Sequence, residues 1–208
     1  LGKRRATALA MRDSDQDLTS VIAVLKDGPV QDVADLAGRV VAVGADDSPQ
    51  ATLIPLLHLA EAGLKPGTDF KIQIHDKLRG KHGDHVGGER DAARSLVSGQ
   101  ADAACMIDGN HLLFSQEGTL PAGGTRVLER TGRYDHCNFT VLDDPARPEI
   151  QQFRKLLLAM SYDDPNIRPL LDMEGLKAWK PGRSSGYGLL NRATENFGTI
   201  EEWLKRQV

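Results

Sequence analysis

The sequence predicts an α/β protein with a mixed sheet flanked by helices, and three observations carry that reading. "RVVAVG" (39–44) is an unbroken run rich in β-branched residues, as in a strand covered on both faces. "SPQATLIPLLHLAEAGL" (48–64) has a capping serine, a proline at the first helical position and an apolar stripe of Leu53, Leu56, Leu57 and Ala60. Strand-like and helix-like runs then alternate, a rhythm that calls for a parallel or mixed sheet joined by right-handed crossovers.

In chain order, "ATALAM" and "SVIAVL" read as two strands joined by the charged "RDSDQDLT", and "KDGP" breaks the second. "VQDVADLAG" reads as a short helix closed by Gly38, and the Ser48 helix is expected to end at Gly63. "DFKIQIHD" is a strand, "ERDAARSLVSG" a helix, "ADAACMID" a strand and "GNHLLFSQEG" a helix. Beyond Arg126 come two strand-like runs, "RVLERT" and "CNFTVL", then the amphipathic "PEIQQFRKLLLAMSY" and the broken "NIRPLLDMEGLKAW". "TIEEWLKRQV" closes the chain with Thr199 and Glu202 spaced as a capping box.

Bulk composition narrows the function. The 208 residues carry 26 Lys+Arg against 29 Asp+Glu, a net charge of -3, with no long run of one sign. That excludes the electrostatic footprint of a nucleic-acid binder. No apolar run has the length of a membrane span, and the opening "LGKRRATALAMRDSD" lacks the hydrophobic core of a secretory signal. Of the two cysteines, Cys105 in "ADAACMI" reads as a small buried hydrophobe, and with Cys137 it leaves the redox compartment open.

Four stretches could carry chemistry. "SPQAT" (48–52) offers Ser48, Gln50 and Thr52 at a helix start, where free N–H groups and the helix dipole attract anions. "GKHGDHVGGER" (80–90) offers His82, Asp84, His85 and Glu89 among glycines that let a backbone approach a ligand. "MRDSDQD" offers Arg12, able to fork onto a carboxylate or phosphate, with Asp13 and Asp15 able to pair with a cation. "TGRYDHCNFTVL" adds Tyr134, Asp135, His136 and Cys137. His82, His85 and His136 make a candidate zinc or other first-row metal set, since imidazole and thiolate suit such ions. "KPGRSSGYG" mimics a phosphate loop but lacks the Lys-Ser/Thr pair entering a helix.

The segments "DLAGRVVAVG" before the Ser48 helix, "PLLHLAEAGL" within it, and the Leu96–Ala104 step "LVSGQADAA" into the next strand resemble the phosphonate-type solute-binding proteins of ABC transporters. The resemblance spans residues 19–130 well and the tail loosely. It implies the type 2 periplasmic-binding fold, in which two α/β lobes close on a solute and two hinge strands join them. Residues 30–130 would form one complete lobe, and 1–29 with 131–208 the hinge strands and helical remainder of a second. The family's further strand-helix units before the first hinge strand are not in this sequence, so the second lobe is expected to be reduced or truncated.

The implied function is binding of a small anionic or zwitterionic solute, of phosphonate, phosphate or related type, in the cleft between lobes. Uptake through an ABC transporter permease, or sensing, would follow outside the cytoplasm. The ligand set is then Arg12, Asp13, Ser48, Gln50, Thr52, His82, His85, Tyr134 and His136. Asp46 and Asp47 depart from the family's hydroxyl-rich loop and place negative charge beside the anion site. The same residue types also fit an acid–base or metal-dependent enzyme on this fold, using the His82/His85 and His136/Cys137 clusters. No catalytic spacing links those clusters.

Overall fold

A computed structural model describes residues 5–75, 86–142 and 144–198. The chain falls into two compact units. One spans Leu1–Leu18 and Arg133–Gly188, the other Thr19–Gly132 and Leu189–Val208.

The second unit is built on a five-stranded mixed sheet. In chain order its elements are β2 (Ser20–Leu25), β3 (Val40–Val43), α1 (Ile54–Glu61), β4 (Lys71–Ile74), α2 (Val86–Val97), β5 (Ala103–Ile107), α3 (Asp108–Glu117) and β6 (Thr125–Arg130). The strand order is β4-β3-β5-β2-β6. Both neighbours of β3 run parallel to it, whereas β5 and β6 flank β2 antiparallel. Alternation along β2 shows why the sheet is covered on both faces: Val21 and Ala23 join one apolar cluster with Leu96 and Phe114, while Ile22 and Val24 join another with Leu36 and Leu59. Burying both sides demands the continuous apolar runs visible in the sequence.

The first unit holds β1 (Ala6–Arg12), β7 (Phe139–Leu142) and β8 (Trp179–Pro181), in an antiparallel sheet with β1 in the middle. Helices α4 (Pro148–Ala159) and α5 (Arg168–Met173) belong to it, and α6 (Gly188–Asn196) begins at its boundary with the second unit. Arg154 on α4 donates to the Leu9 carbonyl of β1 at 3.2 Å. Phe139 of β7 packs edge-on against Phe153 of α4 and at a tilt of 46° against Trp179 of β8, with ring centroids 5.3 Å apart in both pairs.

Three local expectations change. "VQDVADLAG" closes only a 3-10 turn, Val33–Leu36, because Asp32 and Asp35 form a reciprocal capping box around it and Gly38 turns away at φ 77°. The Ser48 helix opens with a π-helical turn, Pro49–Leu53, before α1. Pro55 has no N–H to offer the Ala51 carbonyl, which accepts instead from Gly44 N–H at 3.2 Å. With Ile54 N–H reaching back to Pro49, the Gln50 carbonyl is also freed and accepts from the Ser20 hydroxyl at 2.5 Å. Lastly, β8 and α6 occupy stretches in which the sequence pattern gives no strand or helix of that extent. The terminal "TIEEWLKRQV" lies outside the described residues.

Candidate functional site

In the second unit, the carboxyl ends of the three parallel strands β3, β4 and β5 lie side by side, the edge at which open α/β sheets present ligand sites. The turn after β3 carries Ser48, Gln50 and Thr52, all at 7% exposure or less. Ser48 Oγ accepts from Ala51 N–H at 3.2 Å, and the Thr52 hydroxyl donates to the Ala45 carbonyl at 2.6 Å. Both hydroxyls thus lock the turn. Gln50 differs, because its Oε1 is buried with no hydrogen-bond partner among the described residues, an arrangement that ordinarily costs free energy. Asp46 and Asp47 precede the turn, exposed to solvent.

The strand β4 ends beside this turn. His75 N–H donates to the carbonyls of Val43 and Gly44, each at 3.2 Å, and the His75 ring lies 3.1 Å from the Ser95 hydroxyl of α2. Gly88, in the first turn of α2, faces the His75 carbonyl, with Ala45 N and Gly44 Cα close by. Two helical segments therefore start at one place. Glu89 ties the same turn to β5, accepting from Ile107 N–H at 2.9 Å and Asn110 Nδ2 at 2.8 Å. His82, Asp84 and His85 lie outside the described residues.

The first unit gathers a second cluster. His136 N–H donates to the Asp15 carbonyl at 2.9 Å, and Leu18 and Tyr134 exchange backbone hydrogen bonds at 2.8 and 2.9 Å. Arg12 forks onto Asp15, with Nε 2.6 Å from Oδ2 and Nη2 3.1 Å from Oδ1, and Nη1 donates to the Glu174 carbonyl. The fork expected of Arg12 is thus made within the protein. Asp13 accepts from the N–H groups of Lys177 and Ala178, each at 3.1 Å. Tyr134 is buried at 1% exposure.

His136 Nδ1 lies 3.4 Å from Asp15 Oδ1 and 3.2 Å from Cys137 Sγ. Burial disfavours the charged imidazolium, but hydrogen bonds to Asp15 and Cys137 outweigh it and raise the His136 pKa to about 9. Burial likewise pushes the Asp15 carboxyl up, and its hydrogen bonds to His136 and Arg12 reverse that and leave it low. A Cys-His-Asp relay would use opposite ring nitrogens, one for the thiol and one for the carboxylate. Here Nδ1 is the nitrogen nearest to both.

Asp135, next in the chain, has a fully buried side chain held by Arg183 through two hydrogen bonds of 2.6 Å and by Asp17 N–H at 3.1 Å. The Tyr187 hydroxyl donates to the His136 carbonyl and pairs with Asn138 Nδ2. The "KPGRSSGYG" stretch therefore supplies the brace behind His136, a role its composition does not reveal. Cys105 is fully buried in β5, as its apolar surroundings predict.

The family model for the periplasmic phosphonate substrate-binding proteins of ABC transporters matches residues 2–187. Among solved structures, PhnD1 from Prochlorococcus marinus in complex with methylphosphonate is similar at a TM-score of 0.72 and 17% identity, covering 93% of this chain and 71% of that one. XAC2383 from Xanthomonas citri bound to ATP matches at a TM-score of 0.67 and 17% identity, covering 95% and 72%. The periplasmic aliphatic sulphonate-binding protein SsuA from Escherichia coli matches at a TM-score of 0.55 and 20% identity, covering 94% and 65%. No curated protein is a significant match. Among the described residues no helix is long and apolar enough to cross a membrane.

Proposed function

Because the chain belongs to the family of periplasmic substrate-binding proteins of phosphonate ABC transporters, we propose that it binds a small oxyanion of the phosphonate class and delivers it to an ABC permease outside the cytoplasm. The binding edge is the one formed by the Ser48 turn and the first turn of α2. One observation carries this assignment: two helical segments begin beside the carboxyl ends of β3 and β4, and Gln50, in the first of them, keeps a buried amide oxygen that has no partner among the described residues and can accept from a donor group of the solute. Helix starts attract anions through unpaired N–H groups and the helix dipole.

Asp46 and Asp47 refine the class of solute. Two exposed carboxylates beside the turn repel a bare dianion and attract an ammonium group. A zwitterion with an anionic head and a cationic tail fits that pattern better than a simple alkylphosphonate. No step of bond making is needed, and solute capture rather than catalysis is the reading that the family supports.

A thermal-shift and calorimetric comparison of alkylphosphonates, aminoalkylphosphonates, alkylsulfonates and amino acids tests the proposal. A solute present at 100 times its dissociation constant stabilises the folded state by about 2.7 kcal/mol. Aminoalkylphosphonates should give the largest shift, and Asp46→Asn/Asp47→Asn should reduce their advantage over alkylphosphonates. Stabilisation by amino acids alone, with none by any phosphonate, would overturn the assignment.

A further inference from the structure

We infer that Asp15, His136 and Cys137 form a binding site for a zinc-class divalent ion, independent of the solute edge on the other unit. One carboxylate oxygen, one imidazole nitrogen and one thiol sulfur converge, all within 4.8 Å of one another. Zinc bonds of about 2.0–2.3 Å in tetrahedral geometry separate neighbouring donors by roughly 3.3–3.6 Å. The two measured edges, 3.4 Å from His136 Nδ1 to Asp15 Oδ1 and 3.2 Å from Nδ1 to Cys137 Sγ, are near that spacing. A shared nitrogen facing both other donors suits a central ion.

The donor set selects the metal. Calcium and magnesium take oxygen ligands, whereas a mixed carboxylate, imidazole and thiolate set suits zinc and its first-row neighbours. A thiolate and a carboxylate bring two negative charges to the ion, the carboxylate's shared with the Arg12 guanidinium. Outer contacts orient the ligands, as metal sites require. Arg12 holds both Asp15 oxygens while leaving Oδ1 a second lone pair, and the Asp15 and His136 backbones are joined by a hydrogen bond. Tyr187 fastens the His136 carbonyl from behind. Asp15 and Cys137 also line a cavity of about 240 Å³ with Arg12, Asn138, Glu174 and Trp179, which gives water access to a fourth coordination position.

Cobalt(II) is the probe, because a tetrahedral cobalt–thiolate bond produces a charge-transfer band in the near ultraviolet. Titration of the reduced 208-residue chain with cobalt should raise this band, and zinc should then abolish it by displacement. Cys105 is buried in β5 and cannot supply the thiolate, so Cys137→Ser should eliminate the band while leaving circular dichroism unchanged. His136→Gln should weaken cobalt binding by at least about tenfold, and His82→Ala/His85→Ala should retain the band. Absence of the band in the wild type, its survival in Cys137→Ser, or its loss in the His82/His85 variant would each overturn the assignment.

Discussion

Gly88 sits so close to the carbonyl oxygen of His75 that a Cβ built on it would fall 2.5 Å from that oxygen. The same Cβ would lie in ordinary contact with Ala45 N at 3.4 Å and Gly44 Cα at 3.5 Å, so the clash is with the His75 carbonyl alone. Hydrogen bonds from His75 N–H to Val43 and Gly44 fix the other side of the contact. Glycine at position 88 is therefore what lets α2 begin against the ends of β3 and β4.

Gly88→Ala should destabilise the protein by about 1–3 kcal/mol, the usual cost of forcing a methyl group into a packed contact. Solute affinity should fall with it, because the start of α2 must move away from the Ser48 turn. Urea denaturation and calorimetric titration of the variant check both outcomes.

At Gln50 stability and affinity should separate. Replacing a buried polar group that lacks a partner with an apolar group of similar shape is neutral or stabilising, so Gln50→Met should leave the urea midpoint unchanged or higher. Solute binding should weaken, since the amide is lost. Ser48→Ala, in contrast, removes the acceptor for Ala51 N–H and should cost about 1 kcal/mol of stability.

Acid should weaken the first unit through Asp135. Hydrogen bonding to Arg183 is the largest influence on this carboxyl and holds it below its ordinary range. A carboxyl with a depressed folded pKa contributes stability that is present above the unfolded value of about 3.9 and is lost as pH falls through the folded one. Stability measured from pH 6 down to about 2 should therefore fall less steeply in Asp135→Asn than in the wild type, from a lower starting value.

The two cysteines should react on different terms. Cys137 is exposed, whereas burial pushes the Cys105 thiol up to about 12. Since the thiolate is the reactive form, a thiol reagent at pH 8 should modify one cysteine in the native protein and two after unfolding. Mass spectrometry of the digested product should place the native modification on Cys137.

Much of the architecture is readable along the chain, and particular residues show where reading stops. The runs at β2, β3 and β5 are apolar on successive residues, so a doubly covered sheet follows from them directly. Ser48 with Pro49 marks a helix start for reasons confined to adjacent residues. The π-helical first turn was also encoded locally, by Pro55, but its carbonyls find partners in Gly44 and Ser20, which only the folded sheet brings near. Strand β8 escapes notice because its three residues, Trp179–Pro181, hold their place by pairing with β1 and have no period of their own.

By itself the sequence determined the α/β class, the order of most strands and helices, the capped turn at Ser48 and the chemical types available in each polar stretch. These follow from periodicity and from neighbours within a few residues, where local sterics and hydrogen bonding dominate. Tertiary structure alone decided which distant groups meet: Asp15 with His136 and Cys137, Arg183 with Asp135, Gly88 with His75. The physical reason is that such contacts arise from strand pairing and the burial of two sheet faces, which place residues together whatever their separation along the chain.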